Sequence, residues 1–111
     1  MSNFFETLKS QTQAEREYLL AAPIIARVFK GQVSTTEYAS FLAQAYHHVK
    51  HTVPLMMAVG AKLSTEQEWI REAVAQYIEE EIGHQEWVLN DIAACGFDKQ
   101  QVRQRAPKFA T

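Results

Sequence analysis

The chain has 111 residues, of which 47% are hydrophobic and 22% are charged, a composition typical of one globular domain. Its formal net charge is −2, and charges of both signs are interspersed, so no basic surface for nucleic acid is expected. No apolar run approaches the roughly 20 residues that span a bilayer, and the N-terminus lacks a signal-peptide pattern. The single cysteine, Cys95, excludes an internal disulfide and fits a reducing compartment. We therefore expect a cytoplasmic protein without nucleic-acid or membrane partners.

The first third of the sequence predicts two helices. Ser2 can cap a helix that runs to about Ala22. Pro23 suits the first turn of a short second helix, which Gly31 closes. A longer helix begins next, because residues 34–37 read Ser-Thr-Thr-Glu, a capping box.

An apolar stripe follows this box and predicts one long helix with a buried face. Pro54 lies inside the pattern, removes one backbone donor and crowds the preceding turn, so we expect a kink near His51. The stripe consists of Tyr38, Phe41, Leu42, Ala45, Val49, Thr52, Met56 and Val59.

The rest of the chain predicts a second long helix and a short one. Residues 64–67, Ser-Thr-Glu-Gln, are another capping box, Gly96 is a natural helix end, and Asp98 can cap a final helix. No segment has the periodicity of a strand, so we expect an all-α helical bundle in a single domain over residues 1–111. Its apolar surface exceeds what these helices can cover, which predicts a homo-oligomer or a missing C-terminal half. The predicted helices span about 3–22, 23–30, 35–61, 65–95 and 98–105.

Polar residues interrupt the apolar sector of the second long helix. Glu81 and His84 project into this sector, and Glu80 lies at its edge. Burying such groups without partners is costly, whereas Glu-x-x-His on one helix face is the ligand pair of carboxylate di-iron bundles. Carboxylate and imidazole donors without a thiolate favour iron or manganese. The sector is formed by Ile70, Val74, Tyr77, Val88 and Ile92.

A structural interpretation competes with the metal site. Glu81 and His84 could pair with each other, or with an arginine such as Arg16 or Arg27. Gly83 inside a helix costs roughly 1 kcal/mol relative to alanine and would permit close approach of another backbone or a ligand. Both interpretations stay open at this point.

A second group of candidates lies before the predicted kink. Gln44, His48 and His51 share a side next to the apolar stripe, while His47 turns further out. His51 and His48 are candidates for an active-site base or a ligand, and Tyr77 for a residue near a pocket. Three histidines before a kink are, however, more often ordinary interface residues.

Two segments together resemble a known family. They read FLAQAYHHVKHTVPLM at 41–56 and YIEEEIGHQEW at 77–87, and they are followed by NDI at 90–92 and Cys95-Gly96. The chain resembles the haem-oxygenase-like superfamily, an all-α fold that includes TenA-type thiaminases, the quinone-cofactor synthase PqqC and iron-containing oxidases. The similarity is greatest to the iron-containing redox enzyme branch, and the chain looks like the N-terminal half of such a domain.

The resemblance implies non-haem iron, as one ion or a pair, with manganese as the alternative metal, and oxygen-dependent oxidation of a small organic substrate. By motif, Glu81 and His84 would be the first-half ligands, with Glu80 as the alternative carboxylate. Two features depart from the family pattern. Gln44 occupies a place where a ligating glutamate is expected, and the His-x-x-x-Asp-x-x-His helix of the second half is absent. A complete site would then require the pairing of two chains.

Three functions follow from these observations. The first is a metal-dependent oxidoreductase acting on a small organic substrate. The second is a metal-free TenA-like enzyme of small heterocycle metabolism, for which Cys95 near a helix end is poorly placed as a nucleophile. The third is a non-catalytic helical interaction module or a truncated relative. Fold-level resemblance does not choose among them, because function resides in the site.

Overall fold

A computed structural model describes residues 3–108, so the predicted cap Ser2 lies outside the described residues. The chain divides into two compact units, the first ending at Ser34 and the second beginning at Thr35. All regular structure within residues 3–108 is helical. The all-α fold class is therefore confirmed.

The first unit contains three short helices, α1 (Phe4–Gln11), α2 (Gln13–Leu20) and α3 (Pro23–Phe29). The predicted helix 3–22 is thus divided in two at Thr12, whose hydroxyl donates to the Leu8 carbonyl at 2.8 Å. None of the described residues of this unit is fully buried.

The second unit contains the longer helices and the buried core. The chain forms a helix, breaks, continues as another helix, turns, and repeats this pattern in the opposite direction. The helices are α4 (Thr35–Val49), α5 (Thr52–Lys62), α6 (Glu68–Glu81), α7 (His84–Ala94) and α8 (Lys99–Gln104), with a 3-10 helix at Thr65–Gln67 between α5 and α6.

Packing within the second unit follows a broken helical hairpin. Helix α5 packs against α6, α4 packs against α7, and α8 packs against α7. Arg71 of α6 links the first pair, since its Nε donates to the Gly60 carbonyl at 2.8 Å and its guanidinium also binds the Leu63 carbonyl. These carbonyls belong to the end of α5, where a cation is favourable. The chain passes from one helix pair to the other twice, between α4 and α5 and between α6 and α7, and each passage is a break in a helix.

The second long helix is not continuous, and the prediction of one helix over 65–95 is wrong. Helix α6 ends at Glu81, Ile82 is extended with ψ 125°, and Gly83 has φ 92°. Glycine adopts this positive φ readily because it has no Cβ atom. The chain resumes a helical course only at His84, in the direction that lets α7 pack against α4.

The first long helix also breaks, at Lys50 and His51, where the sequence predicts a kink. Several caps agree with the sequence. Ser64 and Gln67 form the second capping box, and Asp98 accepts hydrogen bonds from two backbone N–H groups at the start of α8. Gly96, with φ 88°, follows the end of α7.

The core of the second unit lies between α4, α7 and α8. The stripe predicted for α4 is only partly correct. Leu42 is buried as expected, whereas Phe41 and Tyr38 are 65% and 44% exposed. The buried positions start instead at Ala39 and recur with the same helical spacing, as far as His47. The core cluster consists of Leu42, Tyr46, Leu89, Ile92 and Val102.

We expect Gly83→Ala to lower the free energy of unfolding by about 1–2 kcal/mol, because an L-residue is strained at positive φ. No atom lies within 4 Å of a Cβ built at Gly83, so the effect would come from the backbone and not from a clash. Urea unfolding followed by circular dichroism measures it.

Gly60→Ala is the matched control. Gly60 is helical, and its added Cβ would meet Val74 Cγ1 at an ordinary 3.7 Å. This change should stabilise the protein by about 0.5–1 kcal/mol, the helix preference of alanine. Equal effects of the two substitutions would contradict the assignment of a strained turn at Gly83.

Candidate functional site

Glu81 and His84 lie on either side of the Ile82–Gly83 break and contact each other. The Oε2 atom of Glu81 is 2.9 Å from Nδ1 of His84. The glutamate side chain is 21% exposed and the imidazole 30% exposed, so the pair is partly buried. The contact therefore does not come from one helix turn, as the sequence predicts, but from the reversal of the chain at Gly83.

The distance between the two donor atoms suits either of two bonding arrangements. At 2.9 Å, Nδ1–H can donate a hydrogen bond to the carboxylate. Two ligands bound at about 2.1 Å and at right angles around one metal ion would lie about 3.0 Å apart, which is the same separation. An oxygen and an imidazole nitrogen are suitable donors for iron or manganese. The pair thus fits a metal as two neighbouring ligands.

Trp87 packs beside the pair from the next turn of α7. Its ring centroid is 4.3 Å from that of His84, with the two planes tilted by 36°. This contact restricts the rotation of the imidazole. A fixed ring orientation is what a metal-ligating histidine requires.

The pair alone does not make a complete metal centre. Among residues 3–108, no three His, Cys, Asp or Glu side chains converge to hold an ion. A three-ligand iron site of the two-histidine, one-carboxylate kind needs at least one more protein donor. The described residues therefore supply a partial ligand set.

The structure does not bring the other predicted site residues to this pair. Glu80 is exposed on α6, His48 is exposed on α4, and His51 is exposed at the break that follows. Tyr77 is 51% exposed. Within residues 3–108, no hydrogen bond, ion pair or ring contact joins any of these four residues to Glu81 or His84, so their roles stay predictions.

His47 is the buried histidine of the cluster, which corrects the prediction that it turns outward. It is only 3% exposed, and its ring meets that of Tyr46 edge-on at 5.2 Å between centroids. The signal in the sequence is the series Ala39, Leu42, Ala43 and Tyr46, which has the helical spacing that His47 and Lys50 continue. The predicted stripe followed the large side chains of Phe41 and Tyr38 and therefore missed this buried series.

The surroundings of His47 favour its neutral form. Burial lowers the pKa of His47 below its usual 6.5, and the positive charges of Lys50 and His51 lower it further. Lys50 Nζ lies 3.4 Å from Nδ1 of the ring. Because an ammonium group only donates, this contact is a hydrogen bond when Nδ1 accepts and Nε2 carries the proton.

An ion pair ties α8 to α7 near the same end of the core. Arg103 donates to both carboxylate oxygens of Glu86, at 2.7 and 2.8 Å. The Arg103 hydrogen bond lowers the pKa of Glu86, and the same bond, together with Tyr46, raises the pKa of Arg103. Fork-shaped pairing of this kind fixes the orientation of both side chains.

Comparison with known protein families shows which family the chain belongs to. The model of a family described as iron-containing redox enzymes matches residues 39–111, about two thirds of the chain. The chain belongs to this family. The match begins in α4 and includes the Glu81–His84 pair. No curated protein and no solved structure matches the chain.

The family confirms the recognition made from the two sequence segments, and with it the general character of an oxidoreductase. None of the helices formed by residues 3–108 has the length and hydrophobicity needed to cross a bilayer.

Burial of His47 gives a prediction for stability against pH. Since protonation is opposed in the folded state, the unfolded chain binds more protons below the ordinary pKa of 6.5. The stabilisation linked to neutral His47 is therefore complete above that pH and is lost as the pH falls towards the lower folded-state pKa. His47→Gln should flatten the decline in unfolding free energy between about pH 7 and pH 5.

Urea unfolding at several pH values measures this slope. The exposed neighbour His48 provides the control, because His48→Gln removes a histidine from the same helix without touching the core. A decline as steep in His47→Gln as in the unchanged protein would contradict the proposed burial effect.

Proposed function

We propose that the protein is an iron-dependent oxidoreductase acting on a small organic substrate, with Glu81 and His84 as two ligands of the metal. The observation that carries the proposal is the 2.9 Å approach of a carboxylate oxygen and an imidazole nitrogen within a chain of the iron-containing redox enzyme family. Manganese is the alternative metal, since the same donors bind it. Glu80 is the alternative carboxylate.

Bound iron would supply the electron transfer of the reaction. The residues of the chain would hold and orient it. Gly83 brings the two donors together, and Trp87 restrains the imidazole ring. Protons would be exchanged through His51 or His48, which are open to solvent, and Tyr77 would contact the substrate. These three catalytic roles are part of the same proposal.

The remaining ligands would come from outside the described pair. A second copy related by a two-fold axis would add another glutamate and another histidine, the supply of a di-iron site in helical bundles. The alternative source is the C-terminal half of a longer domain. Exposed apolar side chains next to the pair support either source, because they need a cover: Ile82 and Trp87 are 61% and 63% exposed.

The same exposed side chains favour one second candidate, a helical interaction module without catalysis. Large exposed apolar patches mark sites of protein association. The metal-free TenA-like alternative gains no such support, because Cys95 packs against the core cluster. Metal content separates the iron-dependent oxidoreductase from the interaction module, since an interaction module has no need of iron.

The test is the iron content of protein expressed with iron and purified without chelator, measured by elemental analysis. Changing a metal ligand, or even a residue that orients one, typically lowers metal affinity 10- to 100-fold. Glu81→Gln and His84→Gln should therefore each lower iron affinity by at least about tenfold. Glu79→Gln is the matched control, an exposed glutamate on the same helix. Iron retained by the double variant Glu81→Gln/His84→Gln would overturn the site.

Sedimentation of the same samples tests the source of the missing ligands. A two-fold assembly predicts dimers when iron is bound and monomers when both ligands are changed. An iron-loaded monomer would exclude ligands from a second copy, and a metal-free protein of any size would favour the interaction module.

A further inference from the structure

A cleft of about 160 Å³ lies between α4 and the chain segment that follows α8. Ser40, Gln44 and His47 line it from α4, and Arg105 and Lys108 line it from the other side. The backbone N–H of Lys108 donates to the Gln44 side-chain oxygen at 3.1 Å, which holds this segment over the helix. All of these residues belong to the second unit.

His47 lines this cleft, and its imidazole ring can donate or accept a hydrogen bond. The residue is 97% buried, yet it lines the cavity wall. When Nδ1 accepts from Lys50, whose Nζ is 3.4 Å away, the ring proton is on Nε2. Within residues 3–108 no side-chain nitrogen or oxygen is both fully buried and without a partner. A ring nitrogen of His47 without a protein partner is therefore not fully buried, and His47 is among the residues that line the cleft.

The charge of the cleft is one-sided. The cationic residues Arg105 and Lys108 are among those that line it, and none of the described lining residues is an aspartate or a glutamate. Among residues 3–108, the hydrogen-bond partner of the Arg105 guanidinium is the side chain of Gln101, at a long 3.4 Å. Two cations beside a neutral histidine donor suit a negatively charged ligand.

A second cavity, of about 140 Å³, adjoins the first and has a different character. The two share wall residues Ser40, Ala43, Val102 and Arg105. The second is completed mainly by apolar side chains, among them Ile92 and Phe97. For scale, an engineered protein cavity of about 150 Å³ accommodates benzene. The cleft therefore offers a charged end and an apolar end, each large enough for part of a small organic molecule.

We propose that this cleft binds a small organic carboxylate, with its anionic group between His47, Arg105 and Lys108 and its apolar body towards Phe97. A free inorganic anion would use the charged end alone and would leave the apolar cavity unfilled. The proposal does not rest on the iron site, because none of its residues takes part in the Glu81–His84 pair.

The experiment is a titration of the purified, metal-free chain with benzoate, followed by nuclear magnetic resonance of the isotope-labelled protein. Binding should shift the signals of the His47 ring and of the backbone around Arg105. Arg105→Gln and Lys108→Gln should each weaken binding by about three- to tenfold, since partly exposed charge pairs contribute modestly. Both side chains are exposed, so neither change should disturb the core.

Three controls test whether binding depends on the cleft, on the charge of the ligand and on its apolar part. Lys62→Gln removes an exposed cation at the end of α5, away from the cleft, and should leave benzoate affinity unchanged. Benzamide, which has the same shape without the charge, should bind at least tenfold more weakly. Phosphate should also bind more weakly than benzoate. An equal loss in Lys62→Gln, equal binding of benzamide, tighter binding of phosphate, or shifts that avoid His47 would each overturn the assignment.

Discussion

The positive φ of Gly83 is the constraint on which the second unit depends. At this residue the chain leaves the line of α6 and directs α7 towards α4. Without that turn, Leu89 and Ile92 would continue along α6 and could not fill the core between α4, α7 and α8. The same turn brings Glu81 against His84. One backbone conformation thus serves both the packing of the unit and the geometry of its candidate metal ligands.

Local signals in the sequence predict much of the fold. The capping box at 64–67, Asp98 at the start of α8 and Pro23 at the start of α3 all act where expected, because caps depend on neighbouring backbone groups alone. The break at Ile82–Gly83 was missed for the opposite reason. Helical spacing continues through it to Val88 and Ile92, so periodicity cannot show that these residues face a different partner. Only the packing of α7 on α4 reveals the break.

In the candidate site, too, local spacing predicts the contact between neighbours in the sequence and misses what depends on packing. Spacing correctly suggests that Glu81 and His84 meet, since either a continuous helix or a tight reversal brings residues three apart together. It does not supply the further ligands, which no set of described residues provides. The burial of His47 was missed because Ala39 and Ala43 are small and attract less notice than Phe41. Core position is set by the packing partner and not by side-chain size alone.

The stacking of Trp87 on His84 has an optical consequence. An iron ion bound to this imidazole would lie close to the indole ring, where a transition metal quenches fluorescence efficiently. The chain has only one other tryptophan, Trp69, which lies twelve residues before Glu81 on α6, about 18 Å along the helix axis. Emission from Trp87 would therefore report the occupancy of the centre directly, against a background from Trp69 that the metal affects much less.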